Sequence, residues 1–153
     1  FKNFGELKNY KKVTEKIISE RRKKSIDTTG DLKKILAPLV KMKDENKFLA
    51  QVFQSIRIEV NDELEVIRTL LSDSSKFLKK GGRLVCISYH SLEDRIVKKF
   101  IQNGGYNDEV ISDLYGNKNV IFKKVGKMIK PSIEEIKLNN RSRSAKLRIA
   151  EKI

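Results

Sequence analysis

The sequence predicts an α/β fold in which a helical first half leads into a strand–turn–helix unit and two later strands. Three observations carry this. Apolar residues recur at helical spacing as far as Leu78, and the run Leu84-Val85-Cys86-Ile87 is rich in β-branched residues and bounded by Gly81-Gly82 and a polar cluster. The last segment alternates, with Ala145, Leu147 and Ile149 at one parity and Lys146, Arg148 and Ala150 at the other, as in a strand. At 153 residues and 39% hydrophobic content, the chain can bury a core as one domain or two small lobes.

Leu7, Tyr10, Val13, Ile17 and Ile18 form the apolar stripe of a basic amphipathic helix that ends near Arg21–Lys24. Thr28-Thr29-Gly30-Asp31 caps a second helix, whose stripe Leu32, Ile35, Leu36, Leu39 and Val40 is interrupted at Pro38, where a break or kink is expected. Lys41 to Asn46 is a polar link. Leu49, Val52, Phe53, Ile56 and Val60 predict a third helix, and Leu64, Ile67, Leu70, Leu71, Phe77 and Leu78 a fourth. Gly81-Gly82 suits a left-handed cap closing that helix.

The strand over 83–89 is followed by a helix with Ile96, Val97, Phe100 and Ile101 on its buried face, stopped at Asn103-Gly104-Gly105. Ser91 is positioned to cap it, with Asp94 three places on as in a capping box and Glu93 and Asp94 at the positive end of the dipole. Tyr106 to Lys118 reads as loop, Val120, Ile121, Phe122 and Val125 as strand, and Ser132-Ile133-Glu134-Glu135 as the start of a short helix. Three strands are too few for a doubly wound sheet, and no G-x-G-x-x-G loop occurs between a strand and a helix.

The net charge is +14, and two windows, Lys8–Lys24 and Lys123–Arg148, carry 13 of it. Two basic windows around a neutral remainder suit the edges of a nucleic-acid groove, although a solvated lysine-rich face has the same composition. No apolar run is long enough to span a membrane, and no signal peptide is visible. The single cysteine, Cys86, sits mid-strand as a small core residue of a reducing compartment, so the expected location is cytoplasmic. The chain starts at Phe1 without a methionine, which suggests a trimmed chain or a fragment.

The polar cluster Ser88-Tyr89-His90-Ser91 lies where ligands bind in α/β sheets, at the carboxyl end of a strand. It contains the only histidine. Ser91, Glu93 and Asp94 have structural duties as cap and dipole partners, Arg95 can pair with Glu93, Asp94 or a neighbouring helix, and Arg57 with Glu59 can form a buried ion pair. His90 has no evident capping duty.

Three stretches, Phe53-Gln54-Ser55-Ile56-Arg57-Ile58-Glu59-Val60-Asn61-Asp62-Glu63-Leu64, Ile87-Ser88-Tyr89-His90-Ser91-Leu92-Glu93-Asp94-Arg95 and Asn140-Arg141-Ser142-Arg143-Ser144-Ala145-Lys146-Leu147-Arg148, occur in that order. Together they resemble the signatures of the bacterial S-adenosylmethionine-dependent ribosomal RNA methyltransferases once called MraW. Tyr89 and Asn140 depart from the usual Phe and Pro of that family. The resemblance covers only the family's C-terminal half; its glycine-rich cofactor loop and ribose-binding acid belong to a preceding segment.

The resemblance implies that residues 1–61 are part of a helical substrate-recognition lobe inserted in a Rossmann-like methyltransferase sheet. Residues 62–153 would be the C-terminal part of that α/β domain, with the final strand antiparallel between the other two. It further implies methyl transfer from S-adenosylmethionine to the N4 of a cytidine in small-subunit ribosomal RNA, with the free RNA or an assembling subunit as partner and no metal. A fragment without the cofactor half would be inactive alone, and would dimerise or retain its missing half through its bare strand edge. On this reading His90 orients or deprotonates the N4 amine, Ser88 and Tyr89 line the base pocket, and Arg141, Arg143, Lys146 and Arg148 contact phosphate. The competing reading is a non-catalytic basic RNA-binding module. A glycine-rich loop upstream in the reading frame would separate the two.

Overall fold

A computed structural model describes residues 1–106 and 120–153. The chain divides into two compact units, Phe1–Glu63 and Leu64–Ile153.

The first unit is helical. A short α1 (Lys2–Gly5) precedes α2 (Tyr10–Arg21), α3 (Thr29–Leu36) and α4 (Glu45–Val60). Leu7, Val13, Leu32, Leu36, Phe48, Leu49 and Val52 form its core. Thr28 caps α3 in a capping box with Asp31, as its spacing predicts. Pro38 is accommodated by ending α3 at Leu36 and tightening Ala37–Leu39 into a 3₁₀ turn, which relieves the ring's clash with the preceding carbonyls. The expected link over 41–46 is shorter: Met42–Asp44 is a second 3₁₀ turn and α4 begins at Glu45.

The helix α1 is not signalled by periodicity, because tertiary contacts hold it. Gln51 and Gln54 donate side-chain amides to the carbonyls of Gly5 (2.9 Å) and Phe4 (3.0 Å). A Cβ on Gly5 would overlap Ser55 Oγ and come within 2.9 Å of the Gln51 carbonyl. Arg57 does not form the expected buried pair with Glu59. It lies on the surface with a bidentate bond to Glu63, at 2.6 and 3.0 Å, while Glu59 is exposed.

The second unit comprises α5 (Glu63–Phe77, which starts at the boundary), β1 (Arg83–Ser88), α6 (Ser91–Asn103), β2 (Phe122–Ile129), α7 (Ile133–Leu138) and β3 (Lys146–Lys152). The sheet order is β1-β3-β2 with both pairs antiparallel, so the last strand lies between the other two. Strand β2 runs further than the expected 120–125, because a register shift between Val125 and Ile129, with Gly126 at φ 66°, carries it past an irregularity. Leu71, Ile96, Val97, Phe100, Ile101, Phe122 and Ala150 form the core.

Gly104 (φ 72°) ends α6 as expected. Gly81-Gly82 does not cap α5. That helix stops at Phe77, and the Lys152 ammonium donates to the carbonyls of Ser75 and Leu78 at 2.5 and 2.7 Å. Gly81 (φ 81°) instead turns the chain into β1, and the Gly81–Gly82 backbone exchanges bonds with Lys152. The expected loop beyond Tyr106 lies outside the described residues. Among the described residues no helix is long and apolar enough to cross a membrane.

Strand alternation decides which side chains meet α6. The registers Leu84↔Ala150 and Cys86↔Arg148 place these residues on the covered face, and burial pushes the Cys86 thiol up. Val85↔Ile149 and Ile87↔Leu147 share the opposite face, where Val85 and Ile87 remain 55% and 57% exposed.

Candidate active site

The junction between β1 and α6 brings Ser88, Tyr89 and His90 to the carboxyl end of a strand and the first turn of a helix. The N-cap is His90 rather than Ser91. Its backbone is extended, and its Nδ1 accepts the Leu92 N–H at 3.2 Å. Glu93 closes the box from the other side, its Oε2 accepting the Tyr89 and His90 N–H groups at 3.1 and 3.2 Å. Both His90-x-x-Glu93 and Ser91-x-x-Asp94 have capping-box spacing. The earlier frame wins because Asp94 is drawn elsewhere.

Asp94 is only 7% exposed. Its carboxylate takes Arg148 in a bidentate pair, Nε to Oδ1 at 2.6 Å and Nη2 to Oδ2 at 3.1 Å, with Lys146 Nζ at 3.3 Å from Oδ2. Desolvation pushes the Asp94 carboxyl up, but the Arg148 hydrogen bonds and charge, joined by Lys146, outweigh it and hold the pKa below the ordinary carboxylate value. A buried acid on α6 thus pins the helix start to β3.

These placements change the duties expected of several residues. Arg148 and Lys146 share a strand parity with Ala150, which is fully buried, so they turn toward α6 and Asp94. The guanidinium of Arg148 is committed to that ion pair, a different task from contacting phosphate. Arg141 and Arg143 are exposed, on the 3₁₀ turn Asn140–Ser144. Of the two hydroxyls beside them, that of Ser142 is buried and donates to the Asn139 carbonyl at 2.8 Å, leaving Ser144 at the surface. Ser88 is 5% exposed, on the covered face of β1, whereas Tyr89 is largely exposed. The accessible surface of the junction is therefore formed by Tyr89 and, in part, His90.

His90 also has limits on its chemistry. Because Nδ1 accepts a backbone N–H, the neutral ring carries its proton on Nε2 and is a donor at that atom. The Asp94 pairing and the Glu93 clamp were the features not foreseen from sequence. The parity of Lys146, Arg148 and Ala150 was the available signal for the first, and the His-x-x-Glu spacing for the second. Among the described residues no group of three or more His, Cys, Asp or Glu side chains is placed to hold a metal ion.

Comparison with known proteins agrees on one family. The sequence profile described as the MraW methylase family matches residues 1–153. The ribosomal RNA small subunit methyltransferase H of Flavobacterium johnsoniae is 52% identical over 153 residues, covering 100% of this chain and 51% of that protein. The proteins of the same name from Christiangramia forsetii and Bacteroides thetaiotaomicron are 51% and 47% identical, each over 150 residues. These matches cover 98% and 97% of this chain but 50% and 49% of the relatives. The chain spans about half the length of the curated relatives it matches. With the profile matched from end to end, the chain belongs to the MraW methylase family.

Proposed function

We propose that the whole protein methylates the exocyclic N4 of a cytidine in small-subunit ribosomal RNA, using S-adenosylmethionine. In this reading the present chain supplies the face that receives the RNA. The supporting observation is the β1–α6 junction, an exposed aromatic beside a capping histidine at a strand's carboxyl end, in a chain about half identical to small-subunit ribosomal RNA methyltransferases.

S-adenosylmethionine supplies the methyl group when bound. The junction does not fit as its cradle: Glu93 takes the amides of Tyr89 and His90, and His90 takes that of Leu92, so these donors are already satisfied. The family resemblance implies that cofactor binding belongs to the remainder of the protein, so the isolated chain is expected to be inactive.

What these residues can do is hold a flipped cytosine. Tyr89 offers a ring for stacking, and His90 Nε2–H can donate to a ring acceptor of the base, fixing the amine in line for transfer. The same tautomer makes His90 an orienting group rather than the acceptor of the N4 proton, which passes to solvent water once the methyl is on nitrogen. Ser88 supports the junction from beneath. Residues 1–61 act as the substrate-recognition lobe, and Arg141 and Arg143 contact phosphate.

The test is methyl transfer by the full-length protein onto free small-subunit ribosomal RNA and onto assembled small subunits, with the product nucleoside identified by mass spectrometry. N4-methylcytidine at a single position is expected. Transfer to another atom, or to neither substrate, overturns the proposal.

A further inference from the structure

The helical unit contains an open cleft of about 780 Å³ whose floor and walls include Ile17, Ile26, Leu32 and Ile56. Arg21 and Arg22 line it at the end of α2, and none of the lining residues is acidic. Ile17 and Arg21 are four residues apart on α2, so an apolar wall and a guanidinium fall on one helix face.

The charge of this rim is not neutralised locally. The nearest acid in sequence, Glu20, is held by Lys16 and Lys23 at 2.9 and 3.1 Å. Its carboxyl is correspondingly lowered by those two lysine hydrogen bonds. Asp27 accepts the Ser25 hydroxyl. Among the described residues neither Arg21 nor Arg22 has an ion-pair or side-chain hydrogen-bond partner, although both are exposed. The helix dipole accounts for basic residues at this end of α2, but it gives the guanidinium N–H groups no fixed acceptor.

We propose that this cleft is a nucleotide subsite, seating one unstacked base of single-stranded RNA against Ile17, Ile26 and Ile56 with its phosphate on Arg21 and Arg22. The apolar walls match the faces of a base, and a guanidinium fork matches a phosphodiester. A lone carboxylate would satisfy the fork as well. A polyanion is favoured because the Lys8–Lys24 window carries six of the net positive charges around the same helix. The subsite rests on the ribosomal RNA reading and extends it to a second contact, in the helical unit.

Binding of a short fluorescein-labelled single-stranded RNA to this chain, followed by anisotropy at several salt concentrations, tests the charge component. The Arg21→Gln/Arg22→Gln double variant should bind about 10-fold more weakly and lose about 0.7 from the log–log salt slope, the worth of the one phosphate the two guanidiniums share. Lys11→Gln/Lys12→Gln removes the same charge from exposed positions outside the cleft and should cost less. An equal loss would mean diffuse attraction and overturn the subsite.

Isoleucine methyl NMR of the same titration reads the seat itself. The Ile17, Ile26 and Ile56 signals should shift with intact RNA and stay in place with an oligomer abasic at every position. RNA that binds without moving them, and is released only by Arg141→Gln/Arg143→Gln, sinks the subsite while leaving the ribosomal RNA reading intact. A chain that binds no RNA at any salt concentration defeats the subsite and the assignment of RNA contacts to this half together.

Discussion

Two residues at the β1–α6 junction carry tasks that a substitution can separate. His90 is both a helix cap and the proposed orienting group. His90→Asn keeps a good capping acceptor, so its stability should stay within about 0.5 kcal/mol of the parent, whereas His90→Ala should lose about 1 kcal/mol. If the ring orients the base, both variants of the full-length enzyme should lose about 100-fold in kcat, measured with saturating RNA. Full activity in His90→Asn would reduce His90 to its cap. Asp94 works through its neighbours. Asp94→Asn leaves Arg148 buried without a counter-charge and should cost about 3 kcal/mol in urea unfolding. Its folded pKa is depressed, so the stabilisation is complete above the unfolded value of about 3.9 and disappears as pH falls through the folded one. The parent should therefore show a steep loss of stability below about pH 4, and Asp94→Asn a shallower one. Identical acid limbs would show that the pair does not govern acid sensitivity.

Elements differ in how their contacts made them legible. The helices α2 to α6 announce themselves through apolar periodicity, since each lays one face on the core of its own unit. Thr28-x-x-Asp31 and Ser132-x-x-Glu135 mark true starts, because a cap needs only its own first turn. The helix α1 has no such signature and depends on bonds from α4 that span 46 and 50 residues. Gly5→Ala should destabilise the chain by about 2 kcal/mol in thermal or urea melts, since Ser55 and the α4 backbone must give way. A variant as stable as the parent would show that α1 can lift off without cost. The capping frame at 90–93 was ambiguous for a similar reason: the choice rests on a long-range ion pair from Asp94 to β3.

For the molecule as a whole, the informative feature is a sheet covered on one face. Val85 and Ile87 are apolar and exposed, and β1 has one hydrogen-bonding edge unpaired among the described residues. On α5, Val66, Leu70 and Phe77 form a second, exposed apolar stripe beside the buried one. Such surfaces and edges seek partners. The isolated chain should self-associate in light scattering, and Val85→Lys/Ile87→Lys should shift it toward monomer without unfolding it. A monodisperse parent monomer would contradict this. In the longer protein the remaining half is proposed to cover the same face and edge.

Sequence alone determined most of the helix and strand segments, though not α1 or the full length of β2, together with the clustering of positive charge, the strand–polar–helix junction and the family, because periodicity and motif spacing are local properties. It could not decide the duty of each charged side chain. Lys146 and Arg148 look like an exposed basic face in a strand whose apolar partners should be buried, yet α6 covers the charged side and leaves Val85 and Ile87 open. Alternation fixes only that the two sets lie on opposite faces. Which face is buried follows from where the helix packs, and only the tertiary structure supplies that, through the buried Asp94 that makes two cations tolerable beneath α6.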